Sequence, residues 1–309
     1  MSGPARPLVS VLTPSLDQAR FIRDTIESVL GQDYPRLELV VADGGSRDGT
    51  QEILRGYGDR VRWVSEPDAG QADALNKAFA ASRGSIVGWL NSDDFYLWDG
   101  VVSAVVETFE REPDAAVVYG HSVWVDEARR VVKVHPRPRF SAERLGRFDY
   151  ISQPATFFRR DGLEAPLVDE TLEFALDYDL WLRMLARGRG FVRLDDYLAA
   201  MRYHADAKSV RARERHWSED AAVRSVSQAS RRTRWRTVTD LGLMAGLKLR
   251  GLGEFRAGAL HRPRWLVELD LPPAGLRPLY QAGLLGSRGS ALLLPRYFLA
   301  SSRARGRSW

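Results

Sequence analysis

The first 120 residues alternate between short apolar runs and amphipathic stretches. The apolar runs are rich in Val, Leu and Ile, as buried strands are; they are residues 8–12, 38–42, 61–64, 86–90 and 115–119. The stretches between them carry apolar residues at helical spacing; they are residues 21–30, a segment from about residue 50, 71–83 and 101–110. This alternation predicts the α/β class, with a mostly parallel central sheet and helices on both faces.

Polar loops follow four of the predicted strands. These loops are residues 13–17, 43–50, 66–77 and 91–94. The carboxyl ends of parallel strands lie at one edge of a sheet, where open α/β sheets bind their ligands. We therefore expect the four loops to converge on one crevice, and their small, polar and acidic residues favour a nucleotide site there.

Two adjacent carboxylates, Asp93 and Asp94, end the fourth of these strands. Such a pair repels itself unless a cation is bound nearby. Mg²⁺ and similar hard cations bind through one or two carboxylates and complete their shell with substrate phosphates. The pair therefore indicates a site for a metal and a diphosphate. The alternative is an ordinary turn or helix cap, in which aspartates are also common.

Charge divides the 309-residue chain into two parts. Residues 209–309 carry 19 Lys and Arg against 7 Asp and Glu, whereas residues 1–208 carry 26 against 33. We expect an α/β catalytic domain over 1–208, with a nucleotide-sugar half at 1–120 and an acceptor half at 121–208. We expect a basic, mainly helical extension over 209–309. The basic extension favours an anionic membrane surface as partner; nucleic acid is the weaker alternative.

Composition limits the compartment and the kinds of site. The chain has no cysteine, which excludes disulfides and thiolate metal sites. We find no signal-peptide pattern and no apolar segment of the roughly 18 to 20 residues that span a bilayer. A cytoplasmic protein, peripheral on the inner face of the membrane, is the corresponding expectation.

Four motifs together resemble, in order, those of the family-2 inverting glycosyltransferases with the GT-A fold, of the type found in polysaccharide or lipopolysaccharide biosynthesis. The motifs are VSVLTPSLDQARFIRDTIESVLGQDYPRLELVVADGGSRDGT, DAGQADALNKAF, LNSDD and LDYDLWLRM, and the resemblance covers roughly residues 8–205. It implies transfer of a sugar from a nucleoside-diphosphate-sugar, most commonly a UDP-sugar, to a hydroxyl of a glycan or lipid-linked acceptor. It also implies Mn²⁺ or Mg²⁺ as cofactor.

The resemblance implies a role for each matching position. Asp93 is the main metal-binding carboxylate of a DXD-like motif, and Asp94 supports it. Asp43 accepts hydrogen bonds from the base and the ribose. The residues expected at the nucleotide-sugar are Thr13, Pro14, Ser15, Asp17, Asp43, Gly45, Ser46, Asp68, Gly70, Gln71, Asn76, Asn91, Ser92 and Asp94. Those expected on the acceptor side are Gln153, Trp181 and His204.

Asp177 in LDYDLWLRM is the expected general base, and Asp179 is its rival. Two residues apart on a helix, they point about 200° away from each other, so only one of them can face the sugar. We favour Asp177, which lies nearer the start of the motif. The family often has an acid just before the base, where this chain has Leu176, and two adjacent acids where this chain has Asp43-Gly44.

Plain structural roles compete with several of these assignments. Asp43 suits a turn, Asp68 a helix cap, Asn76 a solvated helix face, Trp181 the core and His204 a structural hydrogen bond. At the level of the whole protein, a nucleotidyltransferase needs a glycine-rich phosphate loop after the first strand, and TPSLDQAR has no glycine. A non-catalytic scaffold, or a nucleic-acid-binding module using the basic extension, is the remaining alternative.

Overall fold

The computed structural model describes residues 6–204 and 213–226 and three single positions, 242, 243 and 246. The strands are β1 Val9–Ser15, β2 Leu37–Asp43, β3 Arg62–Ser65, β4 Ile86–Trp89, β5 Phe95–Tyr96, β6 Ala115–Val125, β7 Val131–His135, β8 Thr156–Arg159 and β9 Gly190–Arg202. The helices are α1 Ile22–Leu30, α2 Thr50–Gly56, α3 Gln71–Ala81, α4 Val101–Arg111, α5 Ala142–Leu145, α6 Leu176–Ala186 and α7 Arg213–Val226. Short 3₁₀ turns cover Gly58–Arg60 and Gln153–Ala155.

The described strands form one mixed sheet in the order β3-β2-β1-β4-β8-β6-β9-β5, with β7 on β6. The strands β3, β2, β1 and β4 pair in parallel, and β9 runs parallel to β6. β8 lies antiparallel between β4 and β6, so β6 runs in the same direction as β4. The carboxyl ends of β1, β2, β3, β4, β6 and β9 therefore lie at one edge, together with the amino end of β8.

Helices cover both faces of the sheet. Successive residues of a strand point to opposite faces, so each strand packs against helices on both sides. Leu12 and Phe158 join a core cluster with α3 and α6. Val11 and Phe157 join another with α1, α2 and α4. A smaller cluster fills the space between β5, β6, β7 and β9. The core thus fixes the sheet from both sides and leaves its edges to the loops.

The α/β fold class and the helices on both faces are confirmed. The difference lies in the middle of the sheet, where β8 separates β4 from β6. The sequence predicts a strand near residue 156 but carries no signal for its direction. An antiparallel β8 brings the turn Gln153–Ala155 to the same edge as the loops after β1 and β4.

The described part of the basic extension is the helix α7, which packs against α6; Val223 contacts the core cluster there. Most of residues 209–309, and so most of the expected helical extension, lies outside the described residues. Within the described parts of the chain, no helix combines the length and apolar character that crossing a membrane requires. The division at residue 208 stays a prediction.

Candidate functional site

A cavity of about 730 Å³ opens at the edge of the sheet where the carboxyl ends of the strands meet. Loops after β1, β3 and β4, the turn before β8, the segment before α6 and the end of β9 surround it. The residues that line it are Pro14, Ser15, Leu16, Gln18, Asp68 to Ala74, Trp89, Asn91 to Asp94, Gln153, Glu170 to Phe174, Leu176, Asp177, Met201, Arg202 and His204. Three of the four predicted loops therefore converge on this crevice, whereas residues 43–50, after β2, do not line it.

Asp93 and His204 meet in the cavity. Asp93 Oδ2 lies 3.0 Å from His204 Nε2, and both side chains are largely buried, with 21% and 4% exposed. The His204 ring also packs against Phe21, with 4.8 Å between the ring centroids. One carboxylate oxygen and one imidazole nitrogen are thus held side by side, although 111 residues separate them along the chain.

Asp94 also lines the cavity, but its carboxylate is more deeply buried. Its Oδ1 accepts a hydrogen bond of 3.0 Å from the backbone N–H of Arg202. Burial and the neighbouring Asp93 carboxylate raise the pKa of Asp94 well above its ordinary range. Asp94 therefore links the loop after β4 to the end of β9.

The Arg202 guanidinium stabilises the corner of the cavity formed by Asp93, Asp94 and His204. It donates to the carbonyl oxygen of Asp93 (3.0 Å), to that of Glu127 (3.0 Å) and to Asp24 Oδ2 (2.6 Å). Its side chain is 1% exposed, and its charge is balanced by the Asp24 carboxylate. Sequence reasoning missed Arg202, because its partner Asp24 lies 178 residues away and neither residue stands out in its motif.

A chain of amide side chains crosses the floor of the cavity. Asn91 Oδ1 accepts from Gln71 Nε2 (3.0 Å) and from Trp89 Nε1 (2.9 Å), and Asn91 Nδ2 donates to Gln153 Oε1 (3.1 Å). Gln153 Nε2 donates in turn to the carbonyl oxygen of Trp89. Asn91 therefore connects α3, β4 and the turn before β8.

The loop after β2 is held by its own hydrogen bonds. The Asp43 carboxylate accepts from the hydroxyls of Ser46 and Ser65 and from the backbone N–H groups of Gly45 (3.2 Å) and Ser46 (3.0 Å). Asp17 binds this loop from the other side, because its Oδ1 accepts from Arg47 N at 2.9 Å. In the described structure Asp43 is 2% exposed and lies behind the cavity lining.

The Asp68 carboxylate occupies the space next to Gly44. A Cβ atom added at Gly44 would lie 2.5 Å from Asp68 Oδ2, closer than such contacts allow. Asp68 lines the cavity, and its Oδ1 accepts from Gly70 N at 2.9 Å. No side chain caps the N-terminus of α3 at Gly70, so Asp68 does not have the alternative role of a helix cap.

The acceptor-side wall is the segment before α6. Asn76 fixes one end of it, because its side chain accepts from Val168 N (3.0 Å) and donates to the Val168 carbonyl oxygen (3.0 Å). Asp177, in the first turn of α6, lines the cavity. Asp179 pairs instead with Arg183 at 2.7 Å and is not part of the lining. One of the two acids, Asp177, therefore lines the cavity and the other, Asp179, does not, as the helical spacing predicts.

Two half-buried carboxylates, those of Asp149 and Asp220, lie near Asp177. Burial, followed by the charges of Asp177 and Asp220, raises the pKa of Asp149 well above its ordinary range. Burial also raises the pKa of Asp220, on α7, to about 6, while Arg224 acts in the opposite direction. The base candidate therefore has an acidic cluster near it.

The predicted site residues divide between the lining and the layer behind it. Those that line the cavity are Pro14, Ser15, Asp68, Gly70, Gln71, Asn91, Ser92, Asp93, Asp94, Gln153, Asp177 and His204. Those that lie outside the lining are Thr13, Asp17, Asp43, Gly45, Ser46, Asn76, Asp179 and Trp181. Trp181 is packed in the core against Phe158. The ligand contacts expected of both groups stay predictions.

Comparisons with known proteins identify the family of the chain. The family model "Glycosyl transferase family 2" matches residues 10–165. An uncharacterised glycosyltransferase of Rickettsia typhi is 29% identical over 58% of this chain and 59% of its own length. A chondroitin synthase of Pasteurella multocida is 31% identical over 66% of this chain and 22% of its own length. The chain thus spans less than two thirds of the length of these relatives.

Two solved structures share the fold. S. aureus TarS residues 1–349 in complex with UDP-GlcNAc superimposes with a TM-score of 0.57 at 17% identity, covering 82% of this chain and 76% of that one. The mannosyltransferase PcManGT from Pyrobaculum calidifontis, in complex with GDP-Man and Mn²⁺, gives 0.54 at 20% identity, covering 71% and 63%. The α/β fold, the ordered motifs and the family match agree: the chain belongs to glycosyl transferase family 2.

Proposed function

We propose that the protein is an inverting glycosyltransferase that moves a sugar from a nucleoside-diphosphate-sugar to a hydroxyl of a glycan or lipid-linked acceptor. The observation that carries the proposal is that Asp93, paired with His204, and Asp177 line the same cavity. A single displacement needs a charge-stabilising group at the leaving diphosphate and a base at the attacking hydroxyl. Family membership supports the same reaction class.

The donor set fits a Mn²⁺ or Mg²⁺ ion that takes its remaining ligands from the substrate. Among the described residues, no group of three or more His, Cys, Asp or Glu side chains could hold a metal by itself. Asp93 supplies a carboxylate oxygen and His204 an imidazole nitrogen, 3.0 Å apart. Both atoms suit Mn²⁺, whereas Mg²⁺ prefers oxygen ligands and would be held by Asp93 together with phosphate oxygens and water. When bound, such a cation would supply Lewis-acid stabilisation to the leaving diphosphate. Asp94 and Arg202 orient Asp93.

The nucleoside end of the donor lies, in this proposal, against the loops after β1, β2 and β3. Asp68 supports this, because its carboxylate fills the position from which a second acid after Asp43 would extend. We propose that Asp68 makes the nucleoside contact that the Asp43-Gly44 sequence lacks. The buried Ser15 hydroxyl, which has no hydrogen-bond partner among the described residues, is available to the same ligand.

Asp177 is the proposed base. It takes the proton from the acceptor hydroxyl as that oxygen attacks the anomeric carbon, and the bond to the diphosphate breaks on the opposite face. This arrangement inverts the configuration. Asp179 is not suited to the role, since Arg183 occupies its carboxylate at 2.7 Å and the cavity lining does not include it.

UDP is the proposed nucleotide, and the proposed acceptor is a glycan or a lipid-linked glycan, with nucleic acid as the weaker alternative. We also propose a peripheral position on an anionic membrane face through residues 209–309, where 19 basic residues outnumber 7 acidic ones. Sedimentation with anionic liposomes tests this: we expect pelleting at low salt that high salt reverses, and a protein that stays in the supernatant at low salt would refute it.

Calorimetric titration tests the central proposal. UDP, GDP and dTDP are titrated into the protein with and without Mn²⁺. We expect at least one nucleotide to bind only when Mn²⁺ is present, and the matching nucleotide-sugar to be turned over. Binding that ignores the metal, together with no turnover of any nucleotide-sugar, would leave the non-catalytic scaffold as the better account.

A further inference from the structure

We propose that Glu219, on α7, is a positioning residue for the base: its carboxylate fixes the segment that carries Asp177 into the cavity. This inference rests on the proposed function and goes beyond it. It assigns the first helix of the basic extension to the acceptor wall of the site, although that helix follows the sequence motifs of the family domain.

Three successive backbone N–H groups point at one carboxylate. Glu219 Oε2 accepts from Phe174 N at 2.6 Å and from Ala175 N at 2.9 Å. The Glu173 N–H lies 2.9 Å from Oε1 and 3.1 Å from Oε2. Successive N–H groups that turn toward one point form an anion-binding concavity, and here a side chain of the same chain fills it.

The position of this concavity links it to the chemistry. Glu173 and Phe174 line the cavity, Ala175 precedes the first residue of α6, and Asp177 lies in the first turn of that helix. Hydrogen bonds from N–H groups to an ionised carboxylate are stronger and more directional than neutral ones. We therefore expect removal of the carboxylate to loosen residues 173–175, which lead into α6, and with them the position of Asp177.

Asn76 fixes the other end of the same segment, at Val168. The wall is thus attached at both ends, by α3 at residue 168 and by α7 at residues 173–175. Two further contacts keep α7 in place: Arg224 Nη1 donates to the Arg147 carbonyl oxygen at 2.6 Å, and Val223 packs on the core. Glu219 is therefore held by its helix independently of the segment that it binds.

The test uses the full chain and the variants Glu219→Gln and Glu219→Ala. Glu107→Gln is the matched control, because Glu107 is exposed on α4, on the opposite face of the sheet from α6. Three quantities are measured: amide hydrogen exchange over residues 168–180, binding of UDP with Mn²⁺, and kcat. Thermal melting checks that each variant folds.

We expect the amides of residues 173–175 to exchange roughly tenfold faster or more in both Glu219 variants. We expect kcat to fall by about 10²-fold, since small displacements of a reacting group have effects of this size, while UDP affinity stays at the wild-type value. Glu219→Gln keeps one acceptor oxygen and should lose less than Glu219→Ala. The Glu107→Gln control should match the wild type.

Each contrary result has a distinct meaning. Unchanged exchange at residues 173–175 would overturn the contact itself. Faster exchange with wild-type kcat would overturn the positioning role. A parallel loss of UDP affinity and melting temperature would mean that Glu219 only stabilises the fold. A wild-type protein without turnover would overturn the proposed function, and the positioning role with it, whatever the exchange shows.

Discussion

The two walls of the cavity are built in different ways. The donor wall consists of loops that directly follow β1, β3 and β4; the sheet brings these loops together, and contacts with the end of β9 hold the corner at Asp93. The acceptor wall consists of a segment between β8 and α6, attached by Asn76 and Glu219 from helices far away in sequence. The contrast indicates that parallel strands place the donor loops almost automatically, whereas the acceptor wall depends on a few long-range contacts.

The largest effect is expected at the donor wall, for Asp93→Ala. Loss of the carboxylate that we assign to the metal should lower kcat by about 10³-fold and weaken Mn²⁺-dependent binding of UDP. Turnover and calorimetric titration measure both quantities, with circular dichroism as the check on the fold. Retained turnover in this variant would separate Asp93 from the chemistry and break the assignment of the donor wall.

Asp177→Asn tests the acceptor wall in the same assays. We expect kcat to fall by about 10²-fold, at the lower end of the range for loss of a general base, with unchanged UDP binding. Asp179→Asn is the matched control, since it removes an acid two residues away that pairs with Arg183 at 2.7 Å. Its kcat should stay within a few-fold of wild type. The opposite ranking would make Asp179 the base.

Arg202→Met tests how strongly the donor corner depends on the guanidinium that joins it to Asp24 and Glu127. The substitution leaves the Asp24 carboxylate and the carbonyl oxygens of Asp93 and Glu127 without the guanidinium that binds them. We expect the free energy of unfolding to fall by about 3 kcal/mol, measured by urea denaturation. A loss below about 1 kcal/mol would show that the corner holds without Arg202.

The smallest effect concerns the acidic cluster near Asp177. The pKa of Asp220 is raised from 3.8 to about 6, so between these values the unfolded chain releases the proton first and stability falls as the pH rises. The fall amounts to about 2 kcal/mol once partial solvent exposure is allowed for. Asp220→Asn should therefore gain stability relative to wild type between pH 4 and pH 7. Equal pH dependence of the two proteins would contradict this.

The donor wall was largely predictable from the sequence. The apolar run 86–90 followed by Asn91, Ser92, Asp93 and Asp94 indicates a strand and its loop, and parallel order places that loop beside the others. The family resemblance added the expected roles. It was not predictable that the Asp43 carboxylate binds protein groups behind the cavity lining, because the hydroxyl groups of Ser46 and Ser65 reach it only in the folded structure.

The acceptor wall was predictable only in part. Helical spacing predicted that Asp177 and Asp179 point in different directions, because this spacing depends only on the helix that carries both residues. The contact of Asn76 with Val168 spans 92 residues, and that of Glu219 with Ala175 spans 44. Local patterns carry no signal for such pairs. The contact between α6 and α7 was also unforeseen, because the change of charge near residue 208 suggested that the basic extension begins a separate part.

A crystal structure with UDP and Mn²⁺ bound tests the central claim most directly. We expect the cation roughly 2.0 to 2.2 Å from a carboxylate oxygen of Asp93, with the diphosphate on its other side and the uridine toward Asp68. A nucleotide bound elsewhere, or a diphosphate bound in this cavity without Asp93 near it, would contradict the account.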